Sequence, residues 1–154
     1  MVVYKIWELK LWYDGLVKIY YTDGSCSPNP GPGGFAVISD GEPVRLGYDK
    51  DSTNIRMECQ ALVAAMEHSS GEACEIHTDS EFWIKTITEW SLKWEANGWQ
   101  KKGGIKNLDL VKEVCALYKQ SQAKLVWVKA HVGHDGNELA DEWANKARTE
   151  RLTK

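Results

Sequence analysis

The sequence predicts an α/β domain in which one mixed sheet carries helices on its faces. Short β-branched and aromatic runs come first, within residues 17–48, and from residue 54 onward helical spacing alternates with short strands. The length agrees: 154 residues, 43% hydrophobic and 27% charged, suit one domain with a real core and are too few for two ordinary ones.

Each element has its own signal. Val17-Lys18-Ile19-Tyr20-Tyr21-Thr22 alternates and is β-branched or aromatic, so it reads as a strand. Residues 23–34 form a Gly/Pro/Asn loop, and 35–39 a short strand. Asp40-Gly41-Glu42 turns the chain into a strand at 44–48, which completes an antiparallel meander. Helical spacing spans about 54–69 and stops at Gly71. A buried strand follows at 74–78. Trp83, Ile87, Trp90 and Trp94 recur at i, i+4, i+7 and i+11, the mark of an amphipathic helix or a broken pair. A Lys/Gly loop at 100–106 leads to a helix at 108–120, a strand at 124–129 and a last helix at 137–148. Residues 1–13 alternate like a strand and end at Asp14-Gly15, so 1–15 is expected to be an added edge strand or packed arm before a domain at 16–150.

Composition narrows the classes. No apolar run is long enough for a membrane span, and Lys5, Glu8 and Lys10 interrupt the N-terminus where a signal peptide would be apolar. A cytoplasmic location and no membrane partner are expected. Cys26, Cys59, Cys74 and Cys115 are scattered without a Cys-x-x-Cys pair, which points to free thiols. Cys74 with His77, and His131 with His134, lack matching partner pairs, so zinc is not expected. The net charge of −3 argues at first against nucleic acid. That objection weakens if carboxylates gather divalent ions, because two Mg²⁺ would reverse the charge where phosphate must sit.

Four acids and a histidine are candidates. Asp23 continues the strand face of Val17, Ile19 and Tyr21, although Asp-Gly-Ser alone is commonly a turn. Glu58 shares a helical face with Ala61, Leu62 and Ala65, where a lone acid needs compensation by a metal or a salt bridge. Asp79 follows a strand and precedes a helix. It is either an N-cap or a ligand at the carboxyl end of the sheet, where Asp23 also lies. Asp141 falls on a polar face with Asn137 and Asn145, away from Leu139 and Trp143, where solvation is the plain reading. Oxygen donors of this kind suit Mg²⁺, and a pair of such ions can serve both sides of a phosphodiester. His131 lies in the glycine-bearing loop 130–136, where an imidazole can shuttle a proton.

Taken together, several stretches resemble the type 1 ribonuclease H family. They are Tyr21-Thr22-Asp23-Gly24-Ser25-Cys26, Asn29-Pro30-Gly31-Pro32-Gly33-Gly34, Thr53-Asn54-Ile55-Arg56-Met57-Glu58 and Thr78-Asp79-Ser80. Trp127-Val128-Lys129-Ala130-His131-Val132-Gly133-His134 follows, continuing to Asn137-Glu138 and Asp141. They stand in family order and cover nearly everything from Val17 to Arg148. The resemblance implies a five-stranded mixed sheet flanked by helices, and endonucleolytic hydrolysis of the RNA strand of RNA/DNA hybrids. It implies that Asp23, Glu58, Asp79 and Asp141 bind two Mg²⁺ ions, with Mn²⁺ able to substitute, and that His131 assists proton transfer or product departure. Products would carry 5′-phosphate and 3′-hydroxyl ends.

The resemblance also implies a handle for the DNA strand at about 87–106, with Trp90 as its contact and Trp94 and Trp99 as core. Thr53 and Asn107 match a pocket for a DNA phosphate, and Gly24, Asn29 and Asn54 match substrate-facing positions. Three residues depart from the family pattern: Asp51 replaces a pocket arginine, Ile55 a second Asn, and Glu81 a Gln that contacts the hybrid. These weaken the expected affinity and leave the chemistry alone. A monomer without an obligate protein partner is expected. The alternative is a hybrid-binding module of the same fold with weak catalysis, which the retention of all four acids and His131 disfavours. An Asp-x-Glu exonuclease is disfavoured by Asp23-Gly24-Ser25.

Overall fold

The computed structural model describes residues 17–133 and 135–154, so the expectation of an arm or strand over 1–15 lies outside the described residues. The described chain forms five strands: β1 (Lys18–Cys26), β2 (Gly31–Ser39), β3 (Glu42–Ser52), β4 (Ala73–Thr78) and β5 (Gln122–Trp127). They join in one sheet of order β3-β2-β1-β4-β5. The β1–β2 and β2–β3 pairs are antiparallel, and β1–β4 and β4–β5 are parallel. This is the mixed sheet that the order of sequence signals predicts.

The meander is longer than its β-branched runs suggest. β1 continues past Thr22 to Cys26, and β2 starts at Gly31, with Gly24 paired to Phe35, Ser25 to Gly34 and Cys26 to Gly33. The expected loop over 23–34 therefore shrinks to the short connection between these strands. Its glycines are strand residues where helices lie close: a Cβ on Gly24 would run into the backbone of Met57 and Glu58, and one on Gly34 into the backbone of Ala144 and Arg148. The β2–β3 turn is as expected, with Asp40 and Gly41 both at positive φ (53° and 77°).

Helix α1 (Asn54–Ser69) starts on the Thr53 side chain, which accepts from the Arg56 N–H, and ends with Ser70 in the left-handed region just before Gly71. After β4 comes one irregular helical run: α2 (Glu81–Lys85), a π-helical turn (Thr86–Trp90) and α3 (Ser91–Ala96). Of the predicted stripe, Trp83 and Ile87 are buried, Trp94 is partly buried and Trp90 is exposed, and Trp83 donates from Nε1 to the Ile55 carbonyl at 2.8 Å. Helix α4 (Leu108–Gln120) matches its predicted span, and α5 (Asp135–Glu150) exceeds its own at both ends. No helix among the described residues is long and apolar enough to cross a membrane.

Two cores result, one on each face of the sheet. Tyr20, Val37, Cys59, Leu62, Ile76, Trp83 and Val114 anchor the larger, between the sheet and helices α1, α2 and α4. Ala36, Ile38 and Leu46 meet Ala140, Ala144 and Ala147 of α5 in the smaller. Burial on both faces fixes the height of each helix against the strand ends, which is what a site at those ends requires. All four cysteines are buried free thiols.

Candidate active site

The parallel register of β1 and β4 builds the first half of the site. Tyr21 pairs with His77, so Asp23 and Asp79, each two residues further along, come out side by side where the parallel pairing stops. Asp79 lies just past β4, whereas Asp23 is inside β1 and not at its end as expected. The N-terminal turns of α1 press onto Gly24, which delivers Glu58 to the same place. Ser80, not Asp79, caps α2 by accepting from the Trp83 N–H, which leaves the Asp79 carboxyl free of that duty. The N-cap reading of Asp79 is thereby corrected.

Asp141 also needs correction. It is half-buried and not on an open solvated face, because α5 packs through the stripe Asn137, Ala140, Ala144 and Ala147 while Leu139 and Trp143 flank it. Alanines let a helix approach a sheet more closely than bulky residues do, so the buried face is the small one. Turned this way, α5 brings Asp141 close enough to Asp23 to raise its carboxyl.

The electrostatics follow from that crowding. Burial pushes the Asp23 carboxyl well above the usual range, reinforced by the neighbouring acids Asp79 and Asp141. Burial raises Glu58 to about 7, with Asp79 adding to the rise and a hydrogen bond from Ser80 opposing it. Asp79 is also raised, by burial and by Asp141, and is eased by His131 and by a hydrogen bond from Asn137. His131 thus stands within electrostatic reach of Asp79. It is exposed and at positive φ (57°), in the loop that leaves β5 after Val128 donates to the Thr78 carbonyl.

The donor set suits a hard divalent cation. Burial and neighbouring acids together raise Asp23, Glu58 and Asp79, a crowding of carboxyl groups that a bound cation would relieve. Asn137, only 3% exposed, donates to Asp79 and keeps a side-chain oxygen with no hydrogen-bond partner among the described residues, a further hard donor beside the cluster. The cage is not closed: among the described residues no three of His, Cys, Asp or Glu converge tightly enough to hold an ion.

The other candidates fall into two groups around this centre. Asn29 and Asn54 brace the β1–β2 connection: Asn54 donates its N–H to the Asn29 side chain at 3.1 Å and accepts from the Cys26 N–H at 2.7 Å. Gly24 lies under α1. Thr53 and Asn107 are joined through Arg56, whose N–H bonds Thr53 and whose guanidinium reaches Asn107 Oδ1 at 3.3 Å and Asp109 at 2.9 Å. Trp90 is exposed and packs against Phe82 and Trp94 at the edge of a groove of about 760 Å³. Lys101, Lys102, Lys106 and Asn107 line the same groove. Trp94 and Trp99 are partly buried against the core, as expected. Of the departures, Asp51 and Glu81 are exposed, Glu81 pairs with Lys85, and Ile55 lines the groove.

Residue patterns missed Ser80, Asn137, Asn145 and Arg148. Asn137 and Asn145 carried a signal, their spacing of four residues on either side of Asp141 on one helical face.

The RNase H family model matches residues 17–149. A Ribonuclease HI of Xylella fastidiosa is 43% identical over 141 residues, covering 86% of this chain and 93% of its own. A Ribonuclease H of Methylorubrum extorquens is 41% identical over 140 residues; the match takes in 88% of this chain and 61% of that longer relative. Among solved structures, LC9-RNase H1, a type 1 RNase H with the type 2 active-site motif, superposes with a TM-score of 0.79 at 25% identity, covering 90% of this chain and 74% of that one. A foamy viral protease-reverse transcriptase in complex with RNA/DNA hybrid shares the fold, with a TM-score of 0.72 at 18% identity over 87% of this chain and 20% of that one. The chain belongs to the ribonuclease H family, of the bacterial HI kind.

Proposed function

We propose that this protein hydrolyses the RNA strand of RNA/DNA hybrids at internal positions, leaving 5′-phosphate and 3′-hydroxyl ends. What supports this reading is the mutual influence of Asp23, Asp79 and Asp141, and of Glu58 and Asp79, in a chain of this family. These four residues would hold two divalent ions, Mg²⁺ or Mn²⁺. When bound, the ions supply charge neutralisation for the phosphate and a more acidic water. The remaining work belongs to the chain. Thr53, Asn107 and the lysine-bearing groove beside Trp90 take the DNA strand by its backbone, and Asn29 and Asn54 face the hybrid groove, where 2′-hydroxyls mark the RNA. His131, on its glycine-bearing loop, moves a proton at the departing 3′ oxygen.

The test is an end-labelled hybrid set beside single-stranded RNA, duplex RNA and duplex DNA, each with and without chelator. Cutting of the hybrid's RNA strand alone, abolished by chelation, is the expected result. Equal cutting of all four, or activity that survives the chelator, overturns the reading.

A further inference from the structure

Asp141 reaches the cluster from α5, on the face of the sheet opposite the α1 that carries Glu58. It is half-buried and lies beside another acid. Repulsion and solvent both favour a rotamer that swings outward, so something has to hold it. One turn along α5, Asn145 donates from Nδ2 to the Asp141 backbone carbonyl at 3.0 Å and to Asp141 Oδ1 at 3.4 Å. The other end of the same amide is anchored across the molecule: Asn145 Oδ1 accepts from Ser25 Oγ at 2.6 Å and from Arg148 Nη2 at 3.3 Å. Arg148 closes the loop by donating from Nε to Ser25 Oγ at 3.1 Å. Ser25 lies two residues beyond Asp23 on β1, and its pairing partner there is Gly34, the glycine on which α5 rests.

We propose that Asn145 is a positioning residue for Asp141, tethered by Ser25 and Arg148 so that β1 and α5 present Asp23 and Asp141 to one cation and one phosphate. The amide can do this because its two ends differ: the donor end takes the carboxylate, and the acceptor end takes the hydroxyl and the guanidinium. The ring of bonds fixes which end faces Asp141, since a flipped amide would set its oxygen against both oxygens of Asp141 and its NH₂ against a guanidinium. The inference rests on the function proposed above and adds the device that sets Asp141.

The experiment uses the full chain with Asn145→Ala, Ser25→Ala, Ser25→Thr and the Asn145→Ala/Ser25→Ala double variant. Three quantities are read: kcat and KM on the hybrid, the affinity for Mn²⁺ alone by calorimetry, and fold by circular dichroism. Loss of the residue that orients a ligand commonly costs about 10- to 100-fold in metal affinity or activity. Asn145→Ala is therefore expected to lower kcat and weaken Mn²⁺ binding by about tenfold each, with KM and fold unchanged. Ser25→Ala moves both in the same direction by less, Ser25→Thr restores them, and the double variant is no worse than Asn145→Ala, because both changes break one tether. Wild-type kcat and Mn²⁺ affinity in Asn145→Ala, or additive losses in the double variant, overturn the proposal. If Asn145→Ala does not fold, the Ser25→Ala and Ser25→Thr pair decides. Wild type that leaves hybrids uncut would instead remove the function itself, while the calorimetric comparison still tests the tether.

Discussion

Asp79 shows what the site costs the fold. Burial and the neighbouring Asp141 raise its carboxyl, so its negative charge opposes folding unless a cation answers it. Asp79→Asn keeps the shape and removes the charge. Turnover on the hybrid should fall by at least about a hundredfold. Thermal denaturation in chelator at neutral pH should show a Tm higher by a few degrees, since about 1 kcal/mol is worth roughly 2–4 °C in a chain of this size. Retained turnover would remove Asp79 from the site. Glu58 makes the companion prediction in pH. Its folded value of about 7 lies above the ordinary 4.5, so the stability it contributes is full below the ordinary value and is lost as pH rises through about 7. In chelator, Tm should fall as pH rises across that window, and Mg²⁺ should flatten the fall; a Tm that rises there has the wrong sign. Glu58 was also the acid most legible in the sequence, because a lone carboxyl on an apolar helical face calls for an explanation. Asp141 was not legible, since periodicity weighted Leu139 and Trp143 above the alanines that α5 buries.

The elements that carry these residues were readable to different depths, for identifiable reasons. Helices α1 and α4 have strong periodicity and clear ends, and their predicted spans agree with the observed ones. The start of β2 and the end of β1 were hidden because Gly, Pro and Asn signal loops, whereas here glycine is what a strand needs under a close helix. The π-helical turn between α2 and α3 had no local signature beyond a tryptophan spacing that a broken pair would also give. Gly24 tests the packing argument. A methyl group there meets the backbone of Glu58 and Met57, whereas one on Gly71 meets nothing and strains only its positive φ of 79°. Urea unfolding should show Gly24→Ala destabilised by about 1–3 kcal/mol through overpacking, and Gly71→Ala by roughly 1 kcal/mol through backbone conformation. Gly24→Ala should also lower turnover, because the backbone that shifts carries Glu58. Equal, small losses at the two glycines would mean that α1 is not seated where its glycine contact puts it.

The whole molecule has to bind a polyanion while carrying a net charge of −3. It resolves this by segregation. Acids gather at the strand ends, where divalent ions would neutralise them, and Lys101, Lys102 and Lys106 line a groove edged by Trp90. Other basic residues nearby are already engaged: Lys119 pairs with Glu95, Lys85 with Glu81, and Arg56 with Asp109. If the groove is where DNA phosphates lie, its three lysines should set the ionic-strength dependence, because each phosphate contact contributes about one unit to the slope of log affinity against log salt. Binding of the uncut hybrid by Asp79→Asn should therefore weaken steeply as salt rises. Adding Lys101→Ala, Lys102→Ala and Lys106→Ala should flatten that slope by about three units, with weaker binding at low salt. Trp90→Ala should act differently. It loses stacking and apolar contact worth roughly 1–3 kcal/mol, so affinity drops at every salt concentration while the slope stays put. A slope untouched by the three lysines would move the DNA strand to another face, even if hybrid cutting were intact, because charge neutralisation has to occur where the phosphates are.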